Sequence, residues 1–108
     1  MEIISTEELK ELIDDEGDYV LIDVRELNEL DFGVIPTSQH IPLIDLRKGL
    51  GKFDKSDNII FYCRTGSRSE GATQIAIDLG FVNAKNYKGS IWEWSLIDSN
   101  VERYGPGS

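Results

Sequence analysis

The chain has 108 residues, 40% hydrophobic and 9% aromatic, which fits one core and argues against disorder. Its formal net charge of -9 argues against nucleic acid or an anionic membrane surface as partner. It suits a soluble enzyme or a module that docks on a basic protein.

In chain order, Ser5-Thr6-Glu7-Glu8 matches a capping box, with Leu9, Leu12 and Ile13 forming an apolar face behind it. A short first helix is expected there. Tyr19-Val20-Leu21-Ile22 is apolar without alternation and reads as a strand buried on both faces. Asp23-Val24-Arg25-Glu26 follows at its carboxyl end, then a short helix over 26–30 and a turn at Phe32-Gly33. Ile35-Pro36 and Ile41-Pro42 bracket an extended piece at Gln39-His40-Ile41, since proline drives its predecessor into extended geometry. Residues 43–50 hold a helical turn ending near Gly49 or Gly51.

Ile59-Ile60-Phe61-Tyr62 is the strongest strand signal. Beyond it, Ala72, Ile75, Ala76 and Leu79 recur at helical spacing, with Gly80 placed to end the helix and Phe81 to pack back on it. A strand over 84–87 follows, then a segment carrying Trp92 and Trp94. Residues 1–104 are expected to form one domain, and 105–108 a flexible tail or expression scar. Strands alternating with helices in so short a chain predict an α/β fold with a mainly parallel sheet. Such sheets place ligands beyond the carboxyl ends of their strands, where Cys63 and Asp23 both fall.

Cys63, the only cysteine, opens the run Cys63-Arg64-Thr65-Gly66-Ser67-Arg68-Ser69. One cysteine makes no intramolecular disulfide, so a stapled secreted scaffold is excluded. Met1 to Ser5 lacks the basic start and apolar stretch of a signal peptide. No apolar run is long enough for a bilayer span. A reducing cytoplasm is therefore expected, unless a leader was cut away. Backbone N–H groups, a helix N-terminus and two guanidinium groups converge on the Cys63 thiol, and each lowers a thiol's pKa. A packed structural cysteine needs none of them. Gly66 permits the positive φ that a loop wrapped around the sulfur would use. One cysteine and one histidine cannot build a zinc site, so no metal and no cofactor are expected.

Four segments in order resemble the single-domain rhodaneses of the sulfurtransferase superfamily. They are Asp23-Val24-Arg25-Glu26 with Glu29, Gly33-Val34-Ile35-Pro36 through Ile41-Pro42-Leu43, the Cys63 to Ser69 loop, and Lys88-Gly89-Ser90-Ile91-Trp92-Glu93-Trp94. Together they cover about Leu9 to Trp94. The chain departs from the family pattern at Val34 (usually histidine), Thr37-Ser38 (Gly-Ala), His40 (asparagine) and Ser90 (the second glycine of the closing motif). The resemblance implies a rhodanese-like fold, a small, mainly parallel five-stranded sheet with helices on both faces.

It also implies thiosulfate sulfurtransferase activity. Cys63 would take a sulfane sulfur from a small anionic donor such as thiosulfate, hold it as a persulfide and pass it to a thiol or cyanide. Inward loop amides from Arg64 to Ser69 would stabilise the anions. Arg64 and Arg68 would contact sulfonate oxygens, or Arg68 would organise the loop. Thr65 and Ser67 offer hydroxyls to the persulfide, though turn and cap duty explains them equally. Asp23 and Arg25 are assigned to structure, with Asp23 also able to contribute to the field in the pocket. Trp94 matches the family's closing tryptophan and is expected in the core, with Trp92 near a mouth or interface. His40 is not expected to act as a base, because low-pKa thiolate chemistry needs none.

Two other readings stand beside this one. A cysteine-dependent phosphatase needs five residues between cysteine and arginine, whereas four separate Cys63 from Arg68. An arsenate reductase of this fold would want a second cysteine. A non-catalytic rhodanese-like binding module is the other reading, although such modules often lose the cysteine kept here. The expected partners are the sulfur donor and a thiol acceptor, including a thioredoxin-like protein, with the chain a monomer.

Overall fold

The central strand of the computed structural model is β4 (Ile59–Tyr62), whose four residues are all buried. Ile59 and Phe61 enter one core with Leu46, Leu50, Ala72 and Ala76. Ile60 and Tyr62 enter a second with Leu9, Ile91 and Trp94. Alternate side chains point to opposite faces, so an unbroken apolar run requires a helical layer on each side. Helices α1 (Thr6–Asp14) and α4 (Ser90–Ile97) supply one layer, α2 (Leu46–Gly49) and α3 (Ser67–Asp78) the other. Burying each large aliphatic or aromatic side chain contributes about 1.5–3 kcal/mol.

Strands β1 (Glu2–Ile3), β2 (Val20–Asp23), β3 (Gln39–His40) and β5 (Lys85–Asn86) complete a five-stranded sheet of order β1-β5-β4-β2-β3. Every pairing is parallel. The register sets Asp23 opposite Tyr62, bringing Asp23 and the following Cys63 to the same end of the sheet. The expected α/β architecture, with helices on both faces, is what the structure has. Residues 1–97 and 101–102 are described; the expected tail at 105–108, and 98–100 and 103–104 of the expected domain, lie outside them.

Local signals act as anticipated at both helix ends named from sequence. Ser5 Oγ accepts the Glu8 N–H at 3.1 Å, while Glu8 Oε1 accepts the Ser5 N–H at 3.0 Å. At the end of α3, Gly80 takes φ +100° and donates to the Ile77 carbonyl, and Phe81 donates to Ala76, both at 2.9 Å.

Two elements differ from expectation, and one was not anticipated. The helix expected over 26–30 is a 3-10 helix at Leu27–Phe32, begun by the Glu29 carboxylate accepting the Glu26 N–H. The helical turn expected over 43–50 is present as a short α-helix ending at Gly49, between 3-10 turns at Leu43–Asp45 and Leu50–Lys52. The strand over 84–87 narrows to two residues, and its outer neighbour β1 was not anticipated. Both β1 residues are exposed, so no hydrophobic pattern marks them.

Candidate active site

The loop after β4 folds around one sulfur atom. Cys63 Sγ accepts the N–H of Gly66 at 3.1 Å and of Ser69 at 3.4 Å. The second is a first-turn N–H of α3, so the thiol caps that helix and feels its positive end. Ser69 Oγ lies 3.4 Å from Sγ, placed to receive the thiol proton or, after ionisation, to donate back. Cys63 and Ser69 are both buried. Burial opposes the thiolate, but the hydroxyl and amide of Ser69, then the Gly66 amide and the Ser90 hydroxyl, outweigh it. The thiol pKa lies below its ordinary value.

The loop is held from behind by the start of α4. Ile91 N–H donates to the Cys63 carbonyl and Trp92 N–H to that of Arg64, both at 3.1 Å. Gly66 is required by geometry: its φ is +103°, and a Cβ there would stand 2.3 Å from the Lys88 carbonyl oxygen. Asn86, buried behind the loop, reaches the Gly66 carbonyl through Nδ2 at 3.5 Å. Its Oδ1 has no partner among the described residues.

Of the six expected inward amides, those of Gly66 and Ser69 reach the sulfur. The N–H groups of Arg64, Thr65, Ser67 and Arg68 make no hydrogen bond to a described residue. Thr65 and Ser67 are exposed at the rim.

The arginines divide by role. Arg68 grips Glu29 with both ends of its fork, at 2.7 and 2.8 Å, across 39 positions of sequence. That hydrogen-bonded pair, against some desolvation, takes the Glu29 carboxyl down to about 2. Arg25 is buried on Asp23, with Nε 3.0 Å from each carboxylate oxygen and Nη2 2.7 Å from Oδ2. It also donates to the carbonyls of Glu29 and Gly33, tying β2 to the 3-10 helix and the turn after it. Arg64 is exposed and has no side-chain partner among the described residues. With Arg68 and Arg25 each matched to a carboxylate, Arg64 carries the local excess of positive charge.

A cavity of about 390 Å³ beside the loop is lined by Arg25, Glu29, Phe32, Arg64, Trp92 and Val101, among others. Phe32 is 88% and Trp92 57% exposed, so part of its rim is apolar. Trp94, two positions on, is buried in the core, as two-residue spacing on a helix dictates. His40 Nε2 lies 2.7 Å from the Arg25 carbonyl oxygen. No group of three metal-ligating side chains occurs among the described residues, and no helix there is long and apolar enough to cross a membrane.

Sequence reasoning missed the positions of Glu29 and Ser90 in this site. Ser90 Oγ accepts the Cys63 N–H at 3.0 Å and lies 3.8 Å from Sγ. The available signal was a serine standing where the resemblance implies glycine.

The rhodanese-like domain family model matches residues 5–96. Human thiosulfate:glutathione sulfurtransferase is 32% identical over 105 residues, covering 84% of this chain and 90% of that protein. A Schizosaccharomyces pombe relative, named as mitochondrial, is 38% identical over 89 residues, covering 70% of this chain. That protein is longer, and the chain spans 63% of it. Among solved structures, the human single-domain sulfurtransferase TSTD1 superposes with a TM-score of 0.83 at 31% identity. The superposition covers 91% of this chain and 97% of that one.

Proposed function

The chain belongs to the rhodanese-like domain family of sulfurtransferases, and on that premise we propose that it moves a sulfane sulfur from thiosulfate or another persulfide donor through a Cys63 persulfide. The observation that carries this reading is the Cys63 Sγ seated on the Gly66 and Ser69 amides, in a loop whose N–H groups at Arg64, Thr65, Ser67 and Arg68 make no hydrogen bond to a described residue. These loop N–H groups are the donors proposed to receive a sulfur anion added to Sγ.

The first step is attack of the Cys63 thiolate on the outer sulfur of thiosulfate. A sulfur–sulfur bond forms to Cys63, the bond to the sulfonate sulfur breaks, and its electron pair leaves with sulfite. Arg64, which lines the cavity and has no carboxylate partner among the described residues, would hold the sulfonate oxygens. Arg68 would organise the loop through Glu29. In the second step an acceptor thiolate or cyanide attacks the outer persulfide sulfur and returns the Cys63 thiolate.

The phosphatase reading fares worse. The arginine that would clasp phosphoryl oxygens is occupied by Glu29, and the loop closes around a single sulfur.

The apolar rim of Phe32 and Trp92, extended by exposed Leu96 one turn beyond Trp92, suits a protein surface as the acceptor. A dithiol protein is therefore the proposed acceptor, in the reducing cytoplasm where such thiols stay available, with the enzyme acting as a monomer. Steady-state turnover from thiosulfate, with a thioredoxin-like dithiol or cyanide at matched concentration, tests this reading. Faster turnover with the dithiol is expected; equal or faster turnover with cyanide counts against it.

A further inference from the structure

Ser90 occupies a backbone conformation that does not suit it. Its φ is +56°, a left-handed geometry that glycine adopts freely and other residues enter at a cost. Ser90 is also fully buried, so solvation of its hydroxyl does not explain the residue. Held strain of this kind is found where the side chain is needed in a fixed place.

That place is the back of the nucleophile. Ser90 Oγ accepts the Cys63 N–H at 3.0 Å and has two acceptors within reach of its single proton. One is the Tyr87 carbonyl oxygen at 3.0 Å, the other Cys63 Sγ at 3.8 Å. The Tyr87 carbonyl already receives the Ser90 N–H at 3.1 Å, so it stays satisfied if the hydroxyl turns away. The remaining donors to Sγ come from Gly66 and Ser69, both on the loop and the α3 side. Ser90, 27 positions on in sequence, comes from α4.

We infer that Ser90 is a positioning residue for Cys63, anchoring its amide and turning its hydroxyl proton from the Tyr87 carbonyl to sulfur when the thiolate forms. No proton changes owner in this step; the hydroxyl rotates and stabilises the anion. A glycine here would relax the backbone and leave the thiolate less stabilised, with one potential donor fewer. The inference rests on Cys63 being the nucleophile of the proposed cycle, but its test reads the thiol directly and needs no sulfur transfer.

The test is the pH dependence of Cys63 alkylation by iodoacetamide, followed by intact mass, in the wild type and Ser90→Gly. Glycine suits the left-handed backbone, so the variant loses the hydroxyl without a conformational penalty. The midpoint is expected to rise by about one pH unit, slowing alkylation about tenfold below both midpoints, with the high-pH plateau within about twofold. An unchanged midpoint in the folded variant overturns the inference. So does a lowered plateau at an unchanged midpoint, which assigns the hydroxyl to loop architecture alone. If Ser90→Gly fails to fold, the Ser90 13Cβ shift of the wild type decides. It is expected to titrate with the Cys63 thiol and to stay flat in Cys63→Ser; a flat wild-type signal overturns the inference.

Discussion

Replacing Glu29 by glutamine keeps the shape of the side chain and removes the charge that faces Arg68. In the folded protein the Glu29 carboxyl is held at about 2 against an ordinary 4.5, chiefly by its hydrogen bonds to Arg68. A depressed carboxylate stabilises the fold above its unfolded pKa, and that stability is lost as pH falls through the folded value. The window is therefore between about 4.5 and about 2. The full displacement corresponds to about 3 kcal/mol by linkage. The two side chains are 36% and 25% exposed, so solvent screening reduces this to about 1–2 kcal/mol.

Urea denaturation of wild type and Glu29→Gln at pH 7 should show that deficit, near a 1 M fall in midpoint for a slope of about 1–2 kcal/mol/M. At pH 3 the deficit should shrink to roughly half, because the unfolded wild-type chain has by then taken up the proton at Glu29 while the folded one remains largely ionised. Glutamine can still accept the Glu26 N–H, so loss of the 3-10 cap does not confound the comparison. A deficit of equal size at both pH values, or none at pH 7, refutes the assignment of this pair as a charge clasp on the loop.

Arg64→Ala is expected to raise KM for thiosulfate about fivefold with kcat within about twofold, as loss of one exposed charge-assisted contact implies; an unchanged KM in the thiocyanate assay removes Arg64 from the donor site. Gly66→Ala places a Cβ 2.3 Å from the Lys88 carbonyl oxygen at φ +103°, and should cost about 3 kcal/mol or more in thermal or urea unfolding and abolish activity. Wild-type stability in that variant contradicts the loop geometry. His40→Ala should retain turnover within about threefold, against the 10²–10⁴ loss a missing general base would bring. A hundredfold loss in a folded variant gives His40 a catalytic role.

Much of the architecture was legible because it rests on local patterns. Ile59 to Tyr62 and Val20 to Ile22 announce buried strands by being apolar throughout, and Ser5, Glu8 and Gly80 announce helix ends by side-chain and backbone chemistry that acts within a few residues. Cys63 was legible as a thiol set in a hydrogen-bonding loop because Gly66 and Ser69, whose amides reach its sulfur, follow it directly. What stayed hidden depends on distance in sequence. The Glu29 to Arg68 clasp joins residues 39 apart, and nothing near Arg68 marks its partner among the chain's 20 carboxylates. Arg64 and Arg68 look equivalent in the sequence; only the folded chain separates the paired guanidinium from the open one. The edge strand Glu2–Ile3 carries no pattern because both residues face solvent. Ser90 was visible only as a departure from glycine, and its contact with Cys63 appears once α4 closes behind the loop.

The central claim is that Cys63 carries the transferred sulfur as a persulfide. Intact-protein mass after incubation with thiosulfate, run beside Cys63→Ser, tests it most directly. The wild type should gain the mass of one sulfur atom and lose it on adding cyanide, with release of thiocyanate, while a folded Cys63→Ser gains nothing. A wild type left unmodified by both thiosulfate and a low-molecular-weight persulfide, or a sulfur adduct that persists in Cys63→Ser, would contradict the account.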